Sequence, residues 1–139
     1  MKNILVTGGT RGIGRAITEK LLSEGYRVFA VYKTSTDEAN ELAESYGDKV
    51  AMLQADLADT EQIKRLIEQL KDVQFDGIIN NAGIVYLTKW DELNFDEWDE
   101  TLAVNLTAPL RLVHGLRNNL KDGAAVVNIA STDGFCAAF

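Results

Sequence analysis

Short apolar runs alternate along the chain with stretches in which apolar residues return every third or fourth position. NILVT (3–7), YRVFAVY (26–32), KVAMLQ (49–54), FDGIIN (75–80) and AAVVNIA (124–130) are short, rich in β-branched or aromatic residues and bounded by turn residues. That pattern predicts buried strands. Ile13, Ala16, Ile17 and Leu21 recur at helical spacing, as do Ile63, Leu66, Ile67 and Leu70. Three helix starts are marked by a capping oxygen placed three residues before a reciprocal partner: Ser35 with Glu38, Asp59 with Gln62, and Asn94 with Glu97. The last helix is expected at 95–119 with two apolar faces. Leu102, Leu106, Leu110 and Val113 form one; Trp98, Thr101 and Leu112 lie nearer the other, a pattern that suits contact with another subunit. Continuous apolar strands that alternate with helices imply right-handed crossovers and a parallel sheet covered on both faces. With no repeat, linker or low-complexity segment, residues 1–139 are expected to form a single α/β domain.

The turn after the first strand carries the first chemistry. TGGTRGIG (7–14) leaves a strand and enters a helix. Gly8 permits a sharp turn, Gly12 lets backbone approach a bulky ligand, and Gly14 lets the helix pack closely on the sheet. The free amides of the helix start, with the helix dipole behind them, then face an anion. A glycine-rich turn alone is weak evidence, but between a strand and a helix it reads as a dinucleotide site.

Composition narrows the partners. The chain has 139 residues, 46% of them hydrophobic and 25% charged, with a net charge of −7. This acidic balance argues against nucleic acid or an anionic membrane as partner, so an anionic ligand must be held by local groups. One cysteine excludes an internal disulfide and fits a reducing compartment. No apolar run is long enough to span a bilayer, so a cytoplasmic location is expected.

The spacing of the glycine loop, Thr-Gly, three residues, Gly, one residue, Gly, resembles the cofactor loop of the short-chain dehydrogenase/reductase family, in its short non-extended branch. Further matches follow in order: ADL (55–57), NNAG (80–83), VNL (104–106) and NIAS (128–131). The resemblance covers essentially the whole chain and is similar in kind to the 3-oxoacyl-carrier-protein-reductase-like members. It implies a Rossmann-type, doubly wound parallel sheet of about five strands in the order 3-2-1-4-5, a dinucleotide cofactor, a small carbonyl or alcohol substrate, and a homo-oligomer. By resemblance, Gly8, Thr10, Arg11, Gly12, Ile13 and Gly14 form the cofactor loop. Asp56, with Leu57 beside it, accepts from the adenine amino group, and Asn80, Asn81, Ala82 and Gly83 line the cofactor ribose. Asp56 reads equally well as a capping or turn residue.

Cofactor choice follows from charge. Enzymes that take NAD place a carboxylate at the tip of the second strand, where it accepts from the ribose hydroxyls. Here VYKTST puts Tyr32, Lys33 and Thr34 there, with Arg11 in the glycine loop and Ser35 adding a hydroxyl. Cations and hydroxyls suit a 2′-phosphate, which favours NADP(H) over NAD(H). The plainer alternative is that Lys33 and Arg11 are solvated loop charges.

The family's reaction moves a hydride between nicotinamide and a carbonyl or carbinol carbon, and the resemblance assigns the substrate-steadying serine to Ser131. It assigns the asparagine of a water-linked proton path to Asn105. Pro109, four residues on, has no N–H to bond the Asn105 carbonyl, which leaves that carbonyl available to water. The family's Tyr-x-x-x-Lys pair has no match in the sequence. Tyr26, Tyr32 and Tyr46 belong to the cofactor half, and Lys89 stands three rather than four positions after Tyr86. The expectation is therefore a C-terminally incomplete chain that binds cofactor but is catalytically impaired. A non-catalytic NADP(H)-binding module and a self-associating relic are the alternatives. In such a chain the fifth strand is an edge, and self-association through it or the last helix is expected. CAAF (136–139) has the form of a prenylation signal but lacks an upstream basic cluster, and is read as coincidence. His114 is read as a surface residue, and no metal site is expected.

Overall fold

A computed structural model describes residues 1–132. Among them β1 (Asn3–Thr7), β2 (Arg27–Tyr32), β3 (Val50–Gln54), β4 (Phe75–Asn80) and β5 (Leu120–Asn128) form one parallel sheet in the order β3-β2-β1-β4-β5. The crossovers carry α1 (Gly12–Ser23), α2 (Thr36–Tyr46), α3 (Thr60–Gln69), α4 (Phe95–Leu102) and α5 (Ala108–Gly115). This is the Rossmann-type doubly wound arrangement expected from the sequence.

Because successive strand side chains point to opposite faces, β1 feeds two cores. Ile4 and Val6 join Val28, Ala30 and Val50 beneath Ile17, Leu21 and Leu22 of α1 and Tyr46 of α2. Leu5 joins Phe29, Val31, Phe75 and Ile78 against Ile63 and Leu66 of α3 and Ala108 and Leu112 of α5. Phe29 and Phe75 meet edge to face, with ring centroids 5.3 Å apart. β1, β2 and β4, largely buried, read as unbroken apolar runs, which is why they were legible. β5 departs from the expectation of a buried strand: it is mostly exposed, Val126 and Val127 included, because among the described residues it stands at the end of the sheet order with β4 as its one strand neighbour.

The helices depart from expectation in phase. In α1 the buried residues are Gly14, Thr18 and Leu22, spaced by four, while Ile13 is 65% exposed and Ala16 is exposed. Contact between Gly14 and the glycine loop chooses the face, and apolar spacing alone did not reveal it. Ser35 precedes α2 without capping it, because its buried hydroxyl is hydrogen-bonded to Thr10 Oγ1. Asp37 and Glu38 in the first turn complement the helix dipole instead. Asp59 caps α3 as expected, its Oδ1 accepting from the Glu61 and Gln62 amides at 2.8 and 3.2 Å. Asn94 caps α4 through the Asp96 amide at 2.9 Å.

The expected helix at 95–119 is divided. After α4 a single π turn, Ala103–Thr107, inserts before α5, and the Ala108 amide reaches back five residues to the Ala103 carbonyl. Pro109 sits in the first turn of α5, where its missing N–H is harmless. The packed face is Val104, Ala108, Leu112 and Leu116, whereas Leu106 and Leu110 are 65% and 70% exposed. β5 begins at Leu120 rather than 124, because its pairing with β4 slips between Phe75↔Leu120 and Gly77↔Ala125. Asp122-Gly123, with Gly123 at φ 80, lies within the strand as a bulge. No helix among the described residues is long and apolar enough to cross a membrane. The CAAF stretch lies outside the described residues.

Candidate functional site

In a parallel sheet of this order the crossovers run to opposite sides of β1 and β4, so the loops at their carboxyl ends part and leave a crevice. A cavity of about 300 Å³ lies there. Its wall is drawn from four strand ends. Gly8, Thr10 and Arg11 follow β1; Val31 and Tyr32 end β2, with Lys33, Thr34 and Ser35 after it. Ala55, Asp56 and Leu57 follow β3, and Asn81, Ala82, Gly83 and Ile84 follow β4. Glu100 of α4 and Val104 of the π turn close the side.

The glycine loop is shaped by close approach on one side and openness on the other. Gly8 has φ 64, in the left-handed region, and a Cβ there would meet Asn81 Nδ2 at 3.0 Å. At Gly14 a Cβ would lie 1.9 Å from the Gly8 carbonyl oxygen, so α1 starts hard against the loop. Gly9, which the sequence reading passed over, is also closely packed: its Cβ would fall 2.9 Å from both Ala30 Cβ and Thr18 Oγ1. Gly12, with φ 52, has no such neighbour within 4 Å, and this outer side is where a ligand has room. The first amides of a helix have no partner inside it. In α1 neither a side-chain cap nor a first-turn acid serves them, which suits an anion such as a pyrophosphate.

Two clasps hold the loop after β4. The buried Thr7 hydroxyl accepts from the Asn81 and Ala82 amides, both at 3.0 Å. Asn81 Nδ2 donates to the Thr7 and Gly8 carbonyls at 3.0 and 3.2 Å. From the other side Asn105, in the π turn, accepts from the Ile84 amide at 2.9 Å and donates to its carbonyl at 2.8 Å. The Asn105 side chain therefore positions the cavity wall rather than facing the cavity. Asn80 is buried, with its Nδ2 donating to Asn128 Oδ1 at 2.8 Å, and ties β4 to β5. Ser131 follows β5 at the same carboxyl edge of the sheet, outside the cavity wall.

The charged residues form a chain. Lys33 Nζ lies 2.8 Å from Asp56 Oδ2 and 3.4 Å from Glu100 Oε1, and the Tyr86 hydroxyl donates to Glu100 Oε2. The hydrogen bond to Asp56, with Glu100 adding to it, raises the Lys33 pKa. The Tyr86 hydroxyl and then Lys33 hold the Glu100 carboxyl below its ordinary value, and the same bond pushes the Tyr86 phenol up. Asp56 Oδ1 accepts from the Ala58 amide at 2.9 Å, as the turn-residue reading expects, and Asp56 also lines the cavity. Arg11 is exposed and makes no ion pair among the described residues.

Of the residues singled out in sequence, Gly8, Thr10, Arg11, Tyr32, Lys33, Thr34, Ser35, Asp56, Leu57, Asn81, Ala82 and Gly83 are brought together on the wall. Gly12, Ile13 and Gly14 stand beside it, and Asn80, Asn105 and Ser131 lie off it. The reading missed Val31 and Ala55, which lie inside the quoted VYKTST and ADL, and Ile84, which adjoins NNAG. It also missed Val104, which opens the matched VNL, and Glu100, which no local signal marks because it arrives from a distant helix.

The fold, the crevice at its reversal point and the glycine loop define a class, and the whole sequence agrees. The family model described as short chain dehydrogenase matches residues 2–139, and the chain belongs to that family. Among curated relatives, the 3-oxoacyl-[acyl-carrier-protein] reductase FabG of Aquifex aeolicus is 39% identical over 94% of this chain and 56% of its own length. The protein of the same name from Haemophilus influenzae is 35% identical over 96% and 56%. A short-chain dehydrogenase/reductase from Serratia marcescens superposes with a TM-score of 0.91 at 34% identity, covering 99% of this chain and 58% of that one. A blue fluorescent protein from a metagenomic library, solved in complex with NADPH, also gives 0.91 at 30% identity, with 99% and 59% covered. The chain thus spans somewhat over half the length of the relatives it matches.

Proposed function

We propose that this chain is the dinucleotide-binding part of an NADP(H)-dependent oxidoreductase that moves a hydride between the nicotinamide and a small carbonyl or alcohol substrate. The observation that carries the reading is the cavity wall. It joins a glycine loop and an uncapped helix start to Arg11, Lys33 and Thr34, with no carboxylate in the turn after β2. NADPH in one similar structure supports it. When bound, the nicotinamide supplies or accepts the hydride; the protein holds and orients. The α1 amides and Gly12 receive the pyrophosphate, Arg11 offers paired N–H groups to a 2′-phosphate, Asp56 stands for the adenine, and Asn81, Ala82 and Gly83 flank the ribose. Ser131 steadies the substrate oxygen. The Asn105 carbonyl, opposite the N–H that Pro109 lacks, serves a water.

An unperturbed tyrosine has a pKa of about 10 and is a poor base at neutral pH without a nearby cation. No Tyr-x-x-x-Lys pair occurs within these 139 residues, and Tyr86 is bonded to a carboxylate that raises its pKa further. The 139-residue polypeptide accordingly binds nucleotide and turns over little. The same feature favours a second reading, a nucleotide-binding module without chemistry. The exposed Leu106, Leu110, Val126 and Val127 support self-association, and the single cysteine suits the cytosol.

Calorimetric titration tests the first reading. NADPH binds more tightly than NADH, and Arg11→Ala weakens NADPH by about tenfold, the scale of one charge-assisted contact, while NADH changes little. Failure of both nucleotides to bind overturns it. Brisk NADPH oxidation with a panel of ketones and aldehydes overturns the claim of impaired turnover and excludes the module. A clean monomer in sedimentation overturns self-association.

A further inference from the structure

The cavity carries two cations, Arg11 and Lys33, and two carboxylates, Asp56 and Glu100. The Lys33 ammonium is shared between both acids, at 2.8 Å to Asp56 and 3.4 Å to Glu100. Each acid is anchored elsewhere. Asp56 also accepts from the Ala58 amide of its own turn, and Glu100 also accepts from the Tyr86 hydroxyl. Asp56 belongs to the turn after β3, whereas Glu100 reaches Lys33 across 67 residues of sequence.

We propose that Glu100 sets how strongly this cavity prefers a nucleotide bearing a 2′-phosphate, by competing with that phosphate for the Lys33 ammonium. The proposal rests on the dinucleotide reading above. A nucleotide without the phosphate leaves the Lys33–Glu100 pair in place. A 2′-phosphate draws the ammonium from its longer and weaker contact, the one to Glu100. Tyr86 keeps the released carboxylate at the wall, where it faces the incoming negative charge. Glu100 therefore penalises the phosphorylated nucleotide alone, and the preference is smaller than Arg11 and Lys33 by themselves would confer.

The test is calorimetry on the 139-residue protein with 2′-phospho-ADP-ribose and ADP-ribose, probes without nicotinamide, so that binding is read independently of turnover. Glu100→Gln keeps the shape and an acceptor for Tyr86 but removes the charge. It raises the affinity ratio of the phosphorylated to the plain probe by about fivefold, the upper scale for an exposed ion pair, and the rise shrinks at high salt. In a Lys33→Ala background the same substitution changes the ratio far less. Tyr86→Phe, which loosens the carboxylate without removing its charge, gives a smaller rise in the same direction. An unchanged or lower ratio in Glu100→Gln, or an equal rise without Lys33, overturns the role of Glu100 while leaving the cofactor reading intact. Binding of neither probe to the parent overturns both.

Discussion

Replacing Gly14 with alanine sets two effects of opposite sign against each other, and the structure decides between them. In an unencumbered helix the change is favourable by up to about 1 kcal/mol, because alanine loses less backbone freedom. Gly14, however, is buried where α1, the glycine loop and the end of β4 converge. The added Cβ would lie 1.9 Å from the Gly8 carbonyl oxygen and 2.4 Å from Asn81 Nδ2. Neither obstacle can swing aside. Gly8 is backbone, and Asn81 Nδ2 is held by the Thr7 and Gly8 carbonyls. Relief requires the helix start to move off the sheet, and overpacking of this kind costs about 3 kcal/mol at its upper end. The net is a loss of about 2 kcal/mol, or about 8 °C in Tm at this chain length. Thermal melting by circular dichroism and a urea titration at unchanged m measure it. Gly12→Ala is the control, since it meets no such atom within 4 Å and bears only its φ of 52, a strain of about 1 kcal/mol. A Gly14→Ala protein as stable as its parent, or less damaged than Gly12→Ala, would refute the packing argument.

Thr7→Val keeps the shape but leaves the Asn81 and Ala82 amides without their acceptor. It costs about 2 kcal/mol in urea unfolding, and Thr7→Ser restores most of that. Two neighbouring leucines separate by burial: Leu112→Ala, at a fully buried position in the larger core, costs about 3 kcal/mol, and Leu110→Ala, 70% exposed, stays within about 0.5 kcal/mol. Equal losses for the pair would show that α5 is rotated from the orientation described. Asp76 accepts from Lys121 Nζ and the Asn3 amide, both at 2.8 Å, and these bonds, the lysine's first, hold its carboxyl below the ordinary value. A depressed carboxyl contributes stability above its unfolded pKa of about 3.9, and that contribution is lost as pH falls through the lower folded value. Asp76→Asn is therefore less stable than the parent at neutral pH, and the two melting curves converge in acid; a constant gap across that range contradicts the assignment.

What could be read from the chain was local. Each buried strand spans few residues, so its apolar run, its turn residues and the glycine loop between β1 and α1 carry their signals within a short window. The sheet order and twelve of the cavity's wall residues followed from those signals and from the family resemblance they support. Helical periodicity shows that a face exists without saying which residues occupy it: Gly14, Thr18 and Leu22 turn inward in α1 because the loop presses there. The bulge at Gly123, the π turn at Ala103–Thr107 and the diversion of Ser35 from helix cap to partner of Thr10 each answer to a neighbour on another element. Sequence by itself determined a doubly wound sheet with a glycine-rich turn at its reversal point, because hydrophobic period and turn chemistry act between adjacent residues. Only the tertiary structure decided that Lys33 shares its charge with Glu100 and that Asn105 clasps the wall at Ile84. Those contacts join groups far apart in the chain, and electrostatic and hydrogen-bonding energies depend on distance in space.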